Sequence, residues 1–183
     1  AAHNPENGRI YMTGGDYRGM GSDQQSYRQE TWSLSLAERW ANRRDRNAGW
    51  RLEYPYCGPA GEVQPKHPDF VGWTWDSTRK VFWMVPGVME NGPSNCPGET
   101  SARVSDPRFR LNRIMQFDPA ARRWRDVSGN VGELAETWMS VHDPKTDTIV
   151  RFGHTGRSGS VVSLYRIAED RWDNRNLTEN AAG

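Results

Sequence analysis

Little in this chain speaks for a metal or a cofactor. It has two cysteines, Cys57 and Cys96, and four histidines, His3, His67, His142 and His154. There is no Cys-x-x-Cys pair and no His-x-His pair, so zinc and haem sites of the usual spacing are not expected. Asp16, Asp23 and Glu30 line one stretch but lack the dense Asp/Asn/Gly spacing of a calcium loop. Gly14-Gly15 and Gly19-Met20-Gly21 follow a strand pattern into a loop, unlike a phosphate-binding loop that opens a helix. Nothing marks a nucleophile elbow. No apolar run approaches the ~18 residues that span a bilayer as a helix. With 24 basic and 23 acidic residues, the net charge of +1 creates no field to draw in nucleic acid or an anionic membrane. No secretory leader is visible, and the first residues already read as strand, so the chain is expected to begin inside a domain.

Aliphatic residues are also scarce. Only 35% of the 183 residues are hydrophobic, and the mean hydropathy is −0.90. Nine Trp, six Tyr and five Phe nevertheless argue against disorder, since large aromatics supply core area where aliphatics are few. Eighteen Gly and eleven Pro punctuate the chain as many short strands require. The Arg43-Arg44 and Arg122-Arg123 runs read as solvated strand edges or turns.

One pattern occurs three times, aligned without a gap: Ala2 to Tyr11, Thr74 to Trp83 and Val141 to Val150. A short strand enters a turn at Asn4, Asp76 or Asp143, and a second strand leaves it. His3 and His142 fall at equivalent places and read as repeat-related structural residues. The second strand is expected to end at Thr13-Gly14-Gly15, Val85-Pro86-Gly87 and Phe152-Gly153. Polar loops follow, at about 16–29, 89–109 and 154–159. Third strands are predicted over 30–36, 111–117 and 161–167 from their alternation of apolar and polar residues. A Trp opens the fourth strand each time: Trp50, Trp124 and Trp172. Copy one carries an insert over 37–49, near which Leu36 to Trp40 forms a helical turn and the remainder an exposed loop. Each copy is then a four-stranded antiparallel meander, with boundaries at about 1–57, 68–129 and 134–179. Units of this size cannot bury their own apolar faces and must stack. The alternative of a plain β-sandwich explains the recurrence of turn, glycine and Trp less well.

These residues resemble the kelch type of β-propeller. Ile10-Tyr11-Met12-Thr13-Gly14-Gly15 is similar to the double-glycine strand of a kelch repeat, and Met115 through Asp118-Pro119 to Trp124 is similar to its later hairpin. Copies two and three depart from the pattern, with Pro86-Gly87 and Phe152-Gly153-His154 in place of the double glycine. The central domain of galactose-oxidase-like proteins has similar blades. The resemblance implies an all-β chain of three blades. Propellers close with four to eight blades, so the remaining blades are expected from a longer chain or a second chain.

In a blade, the connection between strands two and three emerges on the same side as the link to the next blade. Cys57 and Cys96 are therefore expected on one side, close enough for a disulfide, which favours an extracellular or periplasmic setting. The same side carries Tyr17, Arg18, Tyr27, Arg28, Arg103, Arg108, His154 and Arg157, and Tyr and Arg are enriched where proteins bind partners. The expected function is a non-catalytic binding or assembly module, presenting this loop face to a protein or a glycan, with no cofactor and no metal. The alternative is a segment of an extracellular propeller enzyme, such as a galactose-oxidase-like copper oxidase or a carbohydrate-active protein. Tyr54-Pro55-Tyr56-Cys57 would fit the cysteine-linked tyrosine of such oxidases, but no pair of histidines converges with it. A lectin built from oligomerised blades is a third option. The repeated Trp residues are expected to pack between blades in preference to binding sugars. Asn176-Leu177-Thr178 forms a glycosylation sequon.

Overall fold

The computed structural model describes residues 1–13, 16–18, 25–27, 30–55, 58–59, 72–85, 114–127, 129–130, 136–155 and 159–176. These residues form an all-β structure of three four-stranded antiparallel sheets, with almost no helix. The first sheet contains β1 (Ala2–Asn4), β2 (Arg9–Thr13), β5 (Thr31–Ser35) and β6 (Trp50–Tyr54), paired in that order. The second holds β7 (Gly72–Asp76), β8 (Val81–Val85), β9 (Met115–Asp118) and β10 (Arg123–Asp126). The third holds β11 (Glu136–Asp143), β12 (Thr148–Thr155), β13 (Gly159–Arg166) and β14 (Arg171–Asn176). Among the described residues, no helix is long and apolar enough to cross a membrane.

Four hairpin turns share one design. Asn4, Asp76, Asp118 and Asp143 end a strand, and each side-chain oxygen accepts from the backbone N–H two residues on. This Asx turn is the reason for the recurring Asp or Asn. The fourth turn residue is left-handed in every case: Gly8, Lys80, Arg122 and Asp147, with φ of 65°, 59°, 54° and 51°. That conformation returns the chain to the partner strand with the twist a hairpin needs.

The strand periods sort the side chains into two inter-sheet cores. Tyr11 of the first sheet packs with Trp73, Phe82, Met84, Met115, Phe117 and Trp124 of the second. The opposite face of the second sheet packs Val81, Trp83 and Val85 against Ile149 and Tyr165 of the third. Trp73 stacks on Phe82 with ring centroids 5.1 Å apart and planes 2° from parallel. Trp75 lies on the same side, 4.8 Å from Phe82. Gly72 stands where the second and third sheets approach closely. A Cβ there would overlap Val85 and come within 2.8 Å of Ser140 Oγ and Thr137 Cγ2.

Several expectations are corrected. Phe152-Gly153 does not end a strand: β12 runs on to Thr155, with Gly153 paired to both Thr137 and Val161. Two flanking strands supply hydrogen bonds that outweigh the local weakness of glycine. The first polar loop is not structureless, because β3 (Asp16–Arg18) and β4 (Gln25–Tyr27) pair within it as a ribbon. Arg123 and Arg171, not the tryptophans beside them, open β10 and β14. The helical turn extends to α1 (Leu36–Ala41), whose N-cap Ser35 accepts from the Glu38 N–H. A bulge in β6 pairs Trp32 with Leu52 and Thr31 with Tyr54, leaving Glu53 as the extra residue. Glu53 and Tyr54 are consequently both buried.

Candidate functional site: two open sheet faces and a charged rim

The three sheets stack in one sense. Call the face bearing Tyr11 the forward face of the first sheet; Trp83 and Val150 occupy the aligned positions in the others. The forward face of the first sheet packs on the rear face of the second, and the forward face of the second on the rear face of the third. Two faces stay uncovered among the described residues: the rear of the first sheet and the forward side of the third.

Aligned positions make the contrast measurable. On the rear faces, Met84 and Arg151 are fully buried, whereas the aligned Met12 is 39% exposed. Trp124 is 5% exposed and its Nε1 donates to Thr31 Oγ1 across the sheets at 3.1 Å. Trp172 is half-buried, with its Nε1 donating to the Asn130 carbonyl at 2.9 Å and the Arg151 guanidinium 4.5 Å from its ring centre. Trp50, in the same place on the first sheet, is 40% exposed. Trp50 is thus the least covered of the three, with no sheet behind it among the described residues. Cross-strand pairing joins Met12, Trp32 and Leu52 in one row and Ile10, Leu34 and Trp50 in the next. On the forward side of the third sheet, Met139, Phe152 and Val162 form one row and Val141, Val150 and Leu164 another. Phe152 is 37% exposed where the aligned Val85 is buried.

The hairpin turns form a charged rim along one end of the stack. Lys80 of the second sheet pairs with Glu6 of the first. Arg122 reaches back to the Leu52 and Glu53 carbonyls and lies 3.5 Å from the Glu53 carboxylate. Glu53 is buried, accepting from the Ser33 hydroxyl and from Arg51 Nε at 2.7 Å. Between the second and third sheets, Asp76, His142 and Asp147 converge, with possible ligand atoms within 4.8 Å of one another. A divalent cation would find three donors there. Arg79 already supplies positive charge, donating to Asp76 at 2.9 Å and to both oxygens of Asp147. Asp76 also accepts from the Trp83 indole at 3.0 Å. Burial alone would raise the Asp76 pKa, yet the hydrogen bonds from Arg79 and Trp83 prevail and hold it below the ordinary value. The Arg79 hydrogen bonds likewise lower Asp147, against a smaller opposing effect of burial. His142 completes the cluster, 3.6 Å from Asp76 and 3.4 Å from Asp147. The aligned His3 is exposed on the open rear face of the first sheet.

Since the hairpin turns share one end, the connections between second and third strands lie at the other. Tyr17 and Arg18 fall on β3 and Tyr27 on β4, with Tyr17 paired to Ser26 and Tyr27 to Asp16. His154 lies near the end of β12, paired to Glu136 and Ser160. Ribbon and β12 end thus occupy the same topological place in the first and third sheets. Arg28, Arg103, Arg108, Arg157, Cys57 and Cys96 lie outside the described residues, as does Tyr56. The charged rim was missed in the sequence, whereas two open sheet faces are what three unclosed units lead one to expect, and the alternation in Ile10/Met12, Trp32/Leu34 and Trp50/Leu52 shows which residues lie on the first. No known protein-family profile matches the chain, and no curated protein matches it.

Proposed function

We propose that this chain is a run of three β-propeller blades acting as a non-catalytic binding and assembly module. The observation that carries the reading is the repeated packing relation, forward face on rear face, made twice through aligned positions. A stack that repeats one relation in one sense suits a segment of a ring or helix, and four-stranded antiparallel sheets stacked face to face are how the blades of a propeller are built, which supports the reading. The uncovered faces are then where further blades join. The end carrying Tyr17, Arg18, Tyr27 and His154, with Arg28, Arg103, Arg108 and Arg157 in the connecting segments, recognises a protein or a glycan. Loops and ribbons on a rigid sheet scaffold are the usual seat of binding.

Electron microscopy of the assembly from its natural source tests the architecture. A closed ring of four to eight blades is expected, and an isolated three-sheet stack overturns the reading. Binding is tested on an immobilised glycan panel and a panel of secreted proteins, comparing the native chain with a Tyr17→Ala, Tyr27→Ala double variant. Retention that falls with an unchanged unfolding midpoint supports the recognition end. Retention that is unaffected, or no retention by the native chain, overturns it.

A further inference from the structure

Resting on the propeller reading, we infer that a second copy of this chain covers the open faces, the forward side of the third sheet in one copy seating on the rear of the first sheet in the other. The two free faces are the two halves of a contact the chain already makes twice. The forward side of the third sheet presents Val150 and Phe152, aligned with Trp83 and Val85, which bury against a rear face. The rear of the first sheet presents Ile10 and Met12, aligned with Phe82 and Met84, which bury against a forward face. Both free faces are built of paired apolar rows, Met12–Trp32–Leu52 on one and Met139–Phe152–Val162 on the other. Large apolar residues grouped on a sheet face mark an interaction surface.

The contact is heterologous, because different patches meet. Such contacts either close into a ring or run on as filaments. Two copies contribute six four-stranded sheets, within the four to eight that close a propeller. A closed pair then contains the contact twice, and neither copy keeps an open face.

Sedimentation of the native chain with two face variants, Trp32→Glu and Phe152→Glu, tests this. Both residues are exposed, so each variant should keep its fold, checked by circular dichroism. The native chain is expected at twice 20.9 kDa, and each variant alone at 20.9 kDa. An equimolar mixture of the two retains one intact contact and should form an open pair, at least tenfold weaker than the native one. A native monomer at micromolar concentration overturns the proposal, as do unlimited polymers. Persistence of the pair in only one variant also overturns it, since that denotes a symmetric contact. A ring in the natural source whose six or more blades belong to one longer chain refutes the second copy but leaves the propeller reading standing.

Discussion

Arg79 in the turn of the second sheet grips Asp147 in the turn of the third through two parallel hydrogen bonds, 2.6 Å from Nη1 and 2.7 Å from Nη2. The same guanidinium bonds the buried Asp76, so one side chain bridges two carboxylates from two sheets. Replacing it by Ala leaves Asp76 buried with an uncompensated charge. Arg79→Ala is expected to lower unfolding free energy by about 1.5–3 kcal/mol in denaturant titrations. Arg79→Lys should recover only part of this, because a single ammonium cannot reproduce the forked geometry.

The depressed pKa values of Asp76 and Asp147 fix the sign of a pH effect. In the folded chain both carboxyls give up their protons more readily than the ordinary value of 3.8. The unfolded chain therefore binds more protons as pH falls through and below that value, and stability falls with it. The contribution is fully present above about pH 5 and is lost progressively below pH 4. Unfolding midpoints measured from pH 6 to pH 2 should show this decline, and Asp147→Asn should flatten it.

Gly72 is surrounded by Val85, Thr137 and Ser140 where β7 meets β11. Gly72→Ala forces these sheets apart. A loss of about 1–3 kcal/mol is expected, read as a lowered denaturant midpoint with an unchanged slope.

Two aligned tryptophans should respond differently. Trp124→Ala empties an inter-sheet site and removes the hydrogen bond to Thr31, at an expected cost of about 3–5 kcal/mol. Trp50→Ala in the unassociated chain should change stability by no more than about 0.5 kcal/mol. Thermal unfolding of dilute samples compares them.

The sequence made the meanders legible because their turns are encoded locally. Asn4, Asp76, Asp118 and Asp143 each organise the next residues through their own side chain, so a short alignment finds them. The hairpin registers follow from these turns. What could not be read was non-local. Gly153 looks like a breaker in isolation, and only its pairing with Thr137 and Val161 keeps β12 intact. The Arg79–Asp147 pair spans 68 residues, with no spacing rule to announce it. Glu53 reads as an exposed strand residue until a bulge turns it inward. The likeness among Trp50, Trp124 and Trp172 was visible, but which of them would find a neighbour depended on the order of stacking.

The left-handed turn residues divide the joints of the stack into two kinds. In the second and third sheets these residues are Lys80, Arg122, Asp147 and Asp170, none of them glycine, although the conformation costs about 1–2 kcal/mol for other residues. Each carries a side chain to the sheet before it or to the segment leading from that sheet: Lys80 to Glu6, Arg122 to Glu53, Asp147 to Arg79 and Asp170 to the Asn130 N–H. In the first sheet the corresponding residues are Gly8 and Gly49, which have no side chain to extend. The joints inside the chain are thus clamped, since sliding one sheet along the next by a residue would tear each charge from its partner. A sheet seated behind the first, as proposed above, would meet apolar residues without a clamp, which sets separation but not alignment. Alignment there must be dictated by whatever arrives, so discrimination among arriving sheets rests on their own rim residues.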